Sequence, residues 1–388
     1  MKRDYEYIVL GLGGIGSGAA YWLSRRAGRN VLGLEQFELG HVRGASQDHS
    51  RIIRLSYHTP VYVELAKEAY RSWAAVAEES GEQLVLKTGG LDLWPPQAAT
   101  PISDYTNSLS AGSVPFELLD AAAIRQRWPH FRLDDDVRGL YQADGGIAAA
   151  AKANAAHQRL ARQHGATLRD NAPVTSIRPL DGEIEVIAGE VTYRCRRLVI
   201  AAGAWTNAAL AYFGRRLPLT VTQEQVTYFA TPHLATCMPD CFPVWIWMDK
   251  PSFYGFPVYG EPGVKVAQDV GGQEVTAATR TFTADPAALQ RVTRFMEQVL
   301  PSALGDVIYT KTCLYTLTPD RDFVVDTLPE HPNVVLAVGA GHAFKFASVL
   351  GRILSELAID GKTQSNLEPF HIDRPILLEE NPSRQFMI

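Results

Sequence analysis

The stretch YIVLGLGGIGSGAAYWLSRR, residues 7–26, restricts the fold more than any other part of the chain. An apolar run from Tyr7 to Leu10 predicts a strand. Gly11, Gly13 and Gly16 follow in GxGxxG spacing, with Ile15 between the last two. Ala19, Ala20, Trp22 and Leu23 then recur at helical intervals. Glycines at these positions permit a tight turn and bring backbone N–H groups close to a pyrophosphate, which sits at the positive end of the helix. NVLGLEQ predicts the second strand, and its Glu35 stands 24 residues after Gly11. A carboxylate there accepts from ribose hydroxyls and disfavours a 2'-phosphate, so FAD or NAD is expected rather than NADP.

FAD and NAD share this fingerprint, and the rest of the chain discriminates. RRLVIAAGAWTNAAL predicts a strand over Leu198 to Ala202, ending at Gly203, with Trp205 before a helix that starts at Thr206 or Asn207. NVVLAVGAGHAFKFASVLGRILSELAIDG repeats the pattern, with Gly339 and Gly341 ahead of a long amphipathic helix. Three strand–glycine–helix units at the start, middle and end predict a dinucleotide domain assembled from discontinuous segments. That suits a large cofactor whose two ends lie far apart, and the last helix N-terminus favours negative charge on a reduced ring.

A length of 388 residues exceeds the usual single domain and predicts two. The formal charge of −5 gives no electrostatic reason to expect nucleic acid. At the N-terminus, glycines with Ser24, Arg25 and Arg26 interrupt any signal-peptide core or membrane span, which reads as cytoplasmic. Cys195, Cys237, Cys241 and Cys313 are too few for a disulfide framework, and CMPDC has no second pair or His cluster to form a metal site.

Together these segments resemble the monomeric sarcosine oxidase and N-methyltryptophan oxidase family of FAD-dependent amine oxidases. The resemblance is collinear over essentially the whole chain: the GxGxxG at Gly11, SRIIRLSY (50–57), KTGGLDL (87–93), FYGFPVYG (253–260), GVKV (263–266), CLYTLTPDRDFVVD (313–326) and GHAFKF (341–346). It implies FAD held through a thioether to Cys313, and a thiolate is the kind of soft nucleophile that could form that bond. It also implies that Gly11, Gly13, Ile15, Gly16, Glu35, Ser46, Arg51, Val174, Gly203, Trp205, Cys313, Gly339, Gly341 and Lys345 contact the cofactor.

Arg51 and Arg54 stand three apart among isoleucines, which argues for partial burial and anionic partners. The resemblance places Arg51 near the flavin and gives Arg54 and Lys345 the substrate carboxylate, a group that a guanidinium fork matches bidentately. Lys265 alternates with Val264 and Val266 on a strand; the resemblance makes it the cation that helps dioxygen accept an electron. Tyr254 and Tyr315 match pocket-lining positions, and Thr316 neighbours the carboxylate site.

Departures bear on substrate. Gln47 replaces a histidine common in the family, and Asp269 stands where sarcosine oxidases carry a histidine four residues after the lysine. Trp245 and Trp247 fall near the expected pocket wall. These changes point away from sarcosine itself, towards a bulkier N-substituent or a cyclic imino acid.

The expected fold is α/β: a Rossmann-like FAD-binding domain (1–88, 145–215 and 316–388) interleaved with a substrate domain (89–144 and 216–315) built on a mostly antiparallel sheet. The expected reaction oxidises the C–N bond of a secondary amino acid to an imine and reduces dioxygen to hydrogen peroxide, in a monomer without membrane or nucleic-acid partners. A flavin dehydrogenase serving another acceptor, or a non-catalytic FAD-binding protein, are the alternatives.

Overall fold

The computed structural model describes residues 3–385. The strand Asp4–Leu10 runs parallel between Val31–Leu34 and Val191–Ile200. Isoleucine, valine and leucine occupy the parts that pair at the centre, Ile8–Leu10, Val31–Leu34 apart from Gly33, and Leu198–Ile200, as a sheet covered on both faces requires. On one side the eight-stranded sheet continues parallel to Thr167–Arg169. On the other, Val191–Ile200 forks: its first half pairs antiparallel with Ile184–Ala188, while Leu198–Ile200 pairs parallel with His331–Val338.

The helix Gly14–Ala27 covers this sheet and packs on the helix Ala347–Asp360. Two glycines set the closeness of that packing. A Cβ on Gly18 would lie 2.6 Å from the Ala347 carbonyl oxygen, and one on Gly351 would lie 2.3 Å from the Gly18 carbonyl carbon. The contact is clinched by Trp22 Nε1, which donates to Ser348 Oγ at 3.2 Å.

A nine-stranded sheet forms the second layer, antiparallel except where Val244–Trp247 runs alongside Gly90–Trp94. Its long strands Thr220–Ala230 and Val307–Leu317 pair over most of their length, and Gly263–Gln268 lies on the other side of Thr220–Ala230. A small sheet of Ser50–Ile53, Gly146–Ala149 and Val85–Lys87 lies apart from both. A mixed α/β protein with one largely parallel and one largely antiparallel sheet is the architecture predicted from the sequence. No helix among the described residues is long and apolar enough to cross a membrane.

Candidate active site

A cleft of about 370 Å³ is lined by the glycine turn at one end and by strands of the nine-stranded sheet at the other. Of the sequence-predicted residues, Gly11, Gly13, Ile15, Glu35, Ser46, Arg51, Val174, Gly203, Trp205, Gly339 and Gly341 line it, together with Arg54, Tyr254, Tyr315, Thr316 and Lys345. Gly16, Lys265 and Cys313 are not part of the lining. Gly16 packs inward, where a Cβ would lie 1.9 Å from Gly11 O.

The glycine end fits a dinucleotide. Gly11 has φ +88° and no room for a side chain, since a Cβ would meet Ala201 O at 2.6 Å. A Cβ on Gly13 would meet Ser46 Oγ at 2.8 Å, and that hydroxyl accepts from Gly14 N at 2.8 Å. The helix that follows has no acidic residue in its first turn to compete for an anion. Glu35 accepts from Leu12 N at 2.9 Å and Phe37 N at 3.2 Å, with His41 Nε2 3.4 Å away. Burial pushes its carboxyl upward, but His41 and the Leu12 N–H outweigh that and hold it below the usual carboxylate range. An ionised acid at the strand end is what ribose hydroxyls require.

The cleft is also lined by two cations, Arg54 and Lys345, of which Arg54 is buried and paired. Arg54 is 7% exposed, and its Nη1 lies 3.4 Å from Asp92 Oδ2. Ser56 Oγ donates to the same oxygen at 2.5 Å. Burial favours the neutral form of Asp92 and Arg54 opposes it; the net displacement is upward. The guanidinium also lies 4.8 Å from the Tyr57 ring centroid, and its buried Nε has no hydrogen-bond partner among the described residues. Lys345 lies in the turn Ala343–Phe346, whose backbone is fixed by Trp73 Nε1 donating to Lys345 O at 2.7 Å. Burial, and then the neighbouring Arg54, push the Lys345 ammonium down to about 7. A helix-surface lysine would show neither effect.

Lys265 sits behind the lining, 2% exposed, and donates to Asp48 Oδ2 at 2.5 Å and Ser50 O at 2.9 Å. Every strand residue from Gly263 to Ala267 is buried, so the lysine does not face water. Burial pushes it down to about 8 against the pull of Asp48. Asp48 also accepts from Tyr228 Oη at 3.0 Å and lies 3.5 Å from Arg51 and 3.8 Å from Lys311. Despite its burial, these cations hold its carboxyl far below the ordinary value. Arg51 itself donates to Ser50 O at 2.8 Å and Ala45 O at 2.7 Å.

Cys313 is a half-buried free thiol directly across the strand pair from Glu224. Burial pushes the thiol up, and Arg51 is the strongest opposing influence. Tyr254 and Tyr315 meet hydroxyl to hydroxyl at 3.4 Å. Cys195, Cys237 and Cys241 are free as well, and no cluster of metal-binding side chains forms among the described residues.

Two expectations are corrected by the strand's alternation. Trp245 and Trp247 point away from the cleft, packing on Phe295 at ring distances of 5.7 Å each, while Ile246 between them lines it. Gln47 and Asp269 do line the cleft. The residues that sequence reasoning missed are the counter-charges Asp48 and Asp92. Asp48 lies in QDHSR beside Arg51, which it neighbours, whereas Asp92 lies in GLDL, 38 residues from Arg54; the apolar setting of the arginines already demanded anions.

The model of the FAD dependent oxidoreductase family matches residues 6–357. The chain belongs to that family. It is 36% identical over 371 residues to monomeric sarcosine oxidase of Streptomyces avermitilis, covering 94% of this chain and 96% of the relative. Identity is 33% to human peroxisomal sarcosine oxidase (96% and 97% covered) and 30% to N-methyl-L-tryptophan oxidase of Salmonella arizonae (95% and 99%). Among solved structures, NikD, an unusual amino acid oxidase essential for nikkomycin biosynthesis, superposes with a TM-score of 0.84 at 29% identity, covering 95% of this chain and 98% of its own. L-Proline dehydrogenase from P. horikoshii shares the fold, with a TM-score of 0.84 at 21% identity over 96% of this chain and 97% of its own.

Proposed function

We propose that this protein is an FAD-dependent oxidase of secondary amino acids, forming an imine from the C–N bond and hydrogen peroxide from dioxygen. The observation that carries the reading is Arg54 and Lys345 side by side on the wall of the cleft that the dinucleotide turn also lines. A planar fork and an ammonium to which no carboxylate of the described residues is bonded form a clamp for one carboxylate. FAD, when bound, supplies the two-electron acceptor for the substrate and passes the electrons to dioxygen. The protein's residues supply position and charge. The glycine turn and Glu35 would hold the adenosine and pyrophosphate portion, and Cys313 is the residue for a thioether anchor. Lys265 supplies fixed positive charge beside the ring site, held by Asp48 and shielded from bulk water, where such a charge acts most strongly.

The reading includes the interleaved domains 1–88, 145–215 and 316–388 for FAD and 89–144 and 216–315 for substrate, and a cytoplasmic monomer. The strand Val307–Leu317 crosses the last of these boundaries.

The test is a peroxide-release panel of sarcosine, N-methylated large amino acids, N-substituted glycines, L-proline and L-pipecolate. Turnover of carboxylate-bearing secondary amines with stoichiometric peroxide supports the reading. Flavin bleaching without oxygen uptake would indicate a dehydrogenase, and no bleaching a non-catalytic flavoprotein. If acid-precipitated protein loses all its flavin, the Cys313 anchor fails while the oxidase reading stands.

A further inference from the structure

Asp269 lies on the cleft wall and is held there from three directions. Its N–H donates to Ser252 O at 2.9 Å. Arg321, only 1% exposed, places Nη2 3.4 Å from Oδ2. The turn that follows is pinned by the buried carboxylate of Glu224, which accepts from Gly271 N at 3.0 Å and Gly272 N at 2.9 Å.

The backbone around this point is strained. Val270 has φ +51°, Arg321 +65° and Ala340 +46°, so three of the five described non-glycine residues with positive φ converge here. A β-branched residue rarely adopts this conformation, and it persists where the surroundings over-determine it. Arg321 links two of the three directly, since its Nε donates to Ala340 O at 3.3 Å. The strain and the bonds fix one group, the Asp269 carboxylate, whose side chain keeps 23% of its surface open.

Charge pairing suggests what it is for. Arg54 has Asp92 and Arg321 has Asp269, which leaves Lys345 as the clamp cation without a bonded carboxylate among the described residues. A substrate carboxylate completes that pair. Among the described residues two carboxylates line the cleft, Glu35 by the dinucleotide turn and Asp269 on the substrate side. Resting on the clamp reading above, we propose that Asp269 recognises the substrate's nitrogen as a cation. The substrate then binds as the zwitterionic amino acid with a protonated secondary or cyclic amine, which releases that proton to solvent before its C–N bond is oxidised, and analogues with an uncharged nitrogen or a carbon in its place bind less tightly.

Two unreactive ligands of nearly equal shape test this on the flavin-loaded protein: N,N-dimethylglycine, cationic at nitrogen, and 3-methylbutanoate, with carbon there. Binding is read from the perturbed flavin absorbance, without turnover. Wild type is expected to bind dimethylglycine about tenfold or more tightly than 3-methylbutanoate. Asp269→Asn is expected to bring that ratio close to one while changing 3-methylbutanoate affinity by less than about threefold. A wild-type ratio near one overturns the proposal, as does a ratio that Asp269→Asn leaves intact. Should the variant not fold, the wild-type ratio alone decides. Binding of neither ligand overturns the clamp, and this proposal with it, whereas binding of 3-methylbutanoate alone preserves the clamp and overturns only the role of Asp269.

Discussion

The two ends of the cleft are built on opposite plans. At the dinucleotide end the working surface is backbone: glycines where a Cβ has no room, a helix N-terminus, and one carboxylate satisfied by main-chain N–H groups. At the substrate end it is side-chain charge, buried and paired across elements distant in sequence, such as Lys265 with Asp48 and Arg54 with Asp92. The first plan tolerates no added atom. The second tolerates no missing partner, because an uncompensated buried charge is costly.

The largest effect is expected from breaking the first plan. Gly16→Val drives side-chain atoms into a backbone carbonyl that no rotamer avoids, and the purified protein is expected to contain essentially no flavin, read from its visible absorbance relative to protein. Arg54→Met attacks the second plan and is expected to lower kcat/KM by about 10³-fold while destabilising the fold by roughly 3 kcal/mol, since Asp92 keeps the Ser56 hydroxyl but loses its paired cation. Adding Asp92→Asn is expected to return most of the thermal stability and none of the kcat/KM. If the double variant regains activity, Arg54 serves the fold rather than the substrate.

Lys265→Met is expected to slow flavin reoxidation by dioxygen about 10²-fold in stopped flow, with anaerobic reduction much less affected. Equal slowing of both halves would make Lys265 a structural partner of Asp48 and nothing more. A smaller effect follows from Lys345, whose ammonium is pushed down to about 7. Its cationic form, the one that binds a carboxylate, predominates below that pH and is lost above it. Affinity for 3-methylbutanoate is therefore expected to fall by up to about tenfold from pH 6 to pH 8.5, and Lys345→Arg, whose charge does not titrate in that range, is expected to flatten the profile. Trp247→Phe is expected to change kcat/KM by less than about twofold, because that ring packs on Phe295 outside the cleft. A larger change would return the indole to the pocket wall.

This contrast also explains what could be read from the sequence. Gly11, Gly13 and Gly16 declare themselves because the requirement they meet is local: a turn that one short segment makes with itself. Glu35 is equally legible, since a fixed spacing brings it to the end of the adjacent strand. Arg54 and Lys265 were found as cations, but their partners lie 38 and 217 residues away, and no periodicity encodes that pairing. Trp245 and Trp247 failed for a different reason. Alternation along Val244–Trp247 shows that they share a face, but not which face meets the cleft; that is decided by the helix Pro286–Val299, which supplies Phe295 on the far side.

The glycine contact between the first and last long helices has a consequence for how the chain matures. Trp22 and Ser348, which close that contact, are 326 residues apart. During synthesis the first strand, turn and helix emerge early, yet the face bearing Gly18 has nothing to pack on until Gly351 has followed. Local pieces form fast, while contacts between distant segments wait for the intervening chain. The nucleotide turn is therefore among the first parts made and among the last to be fully supported, and a ribosome-bound chain stopped short of the Ala347–Asp360 helix should leave it open to proteolysis.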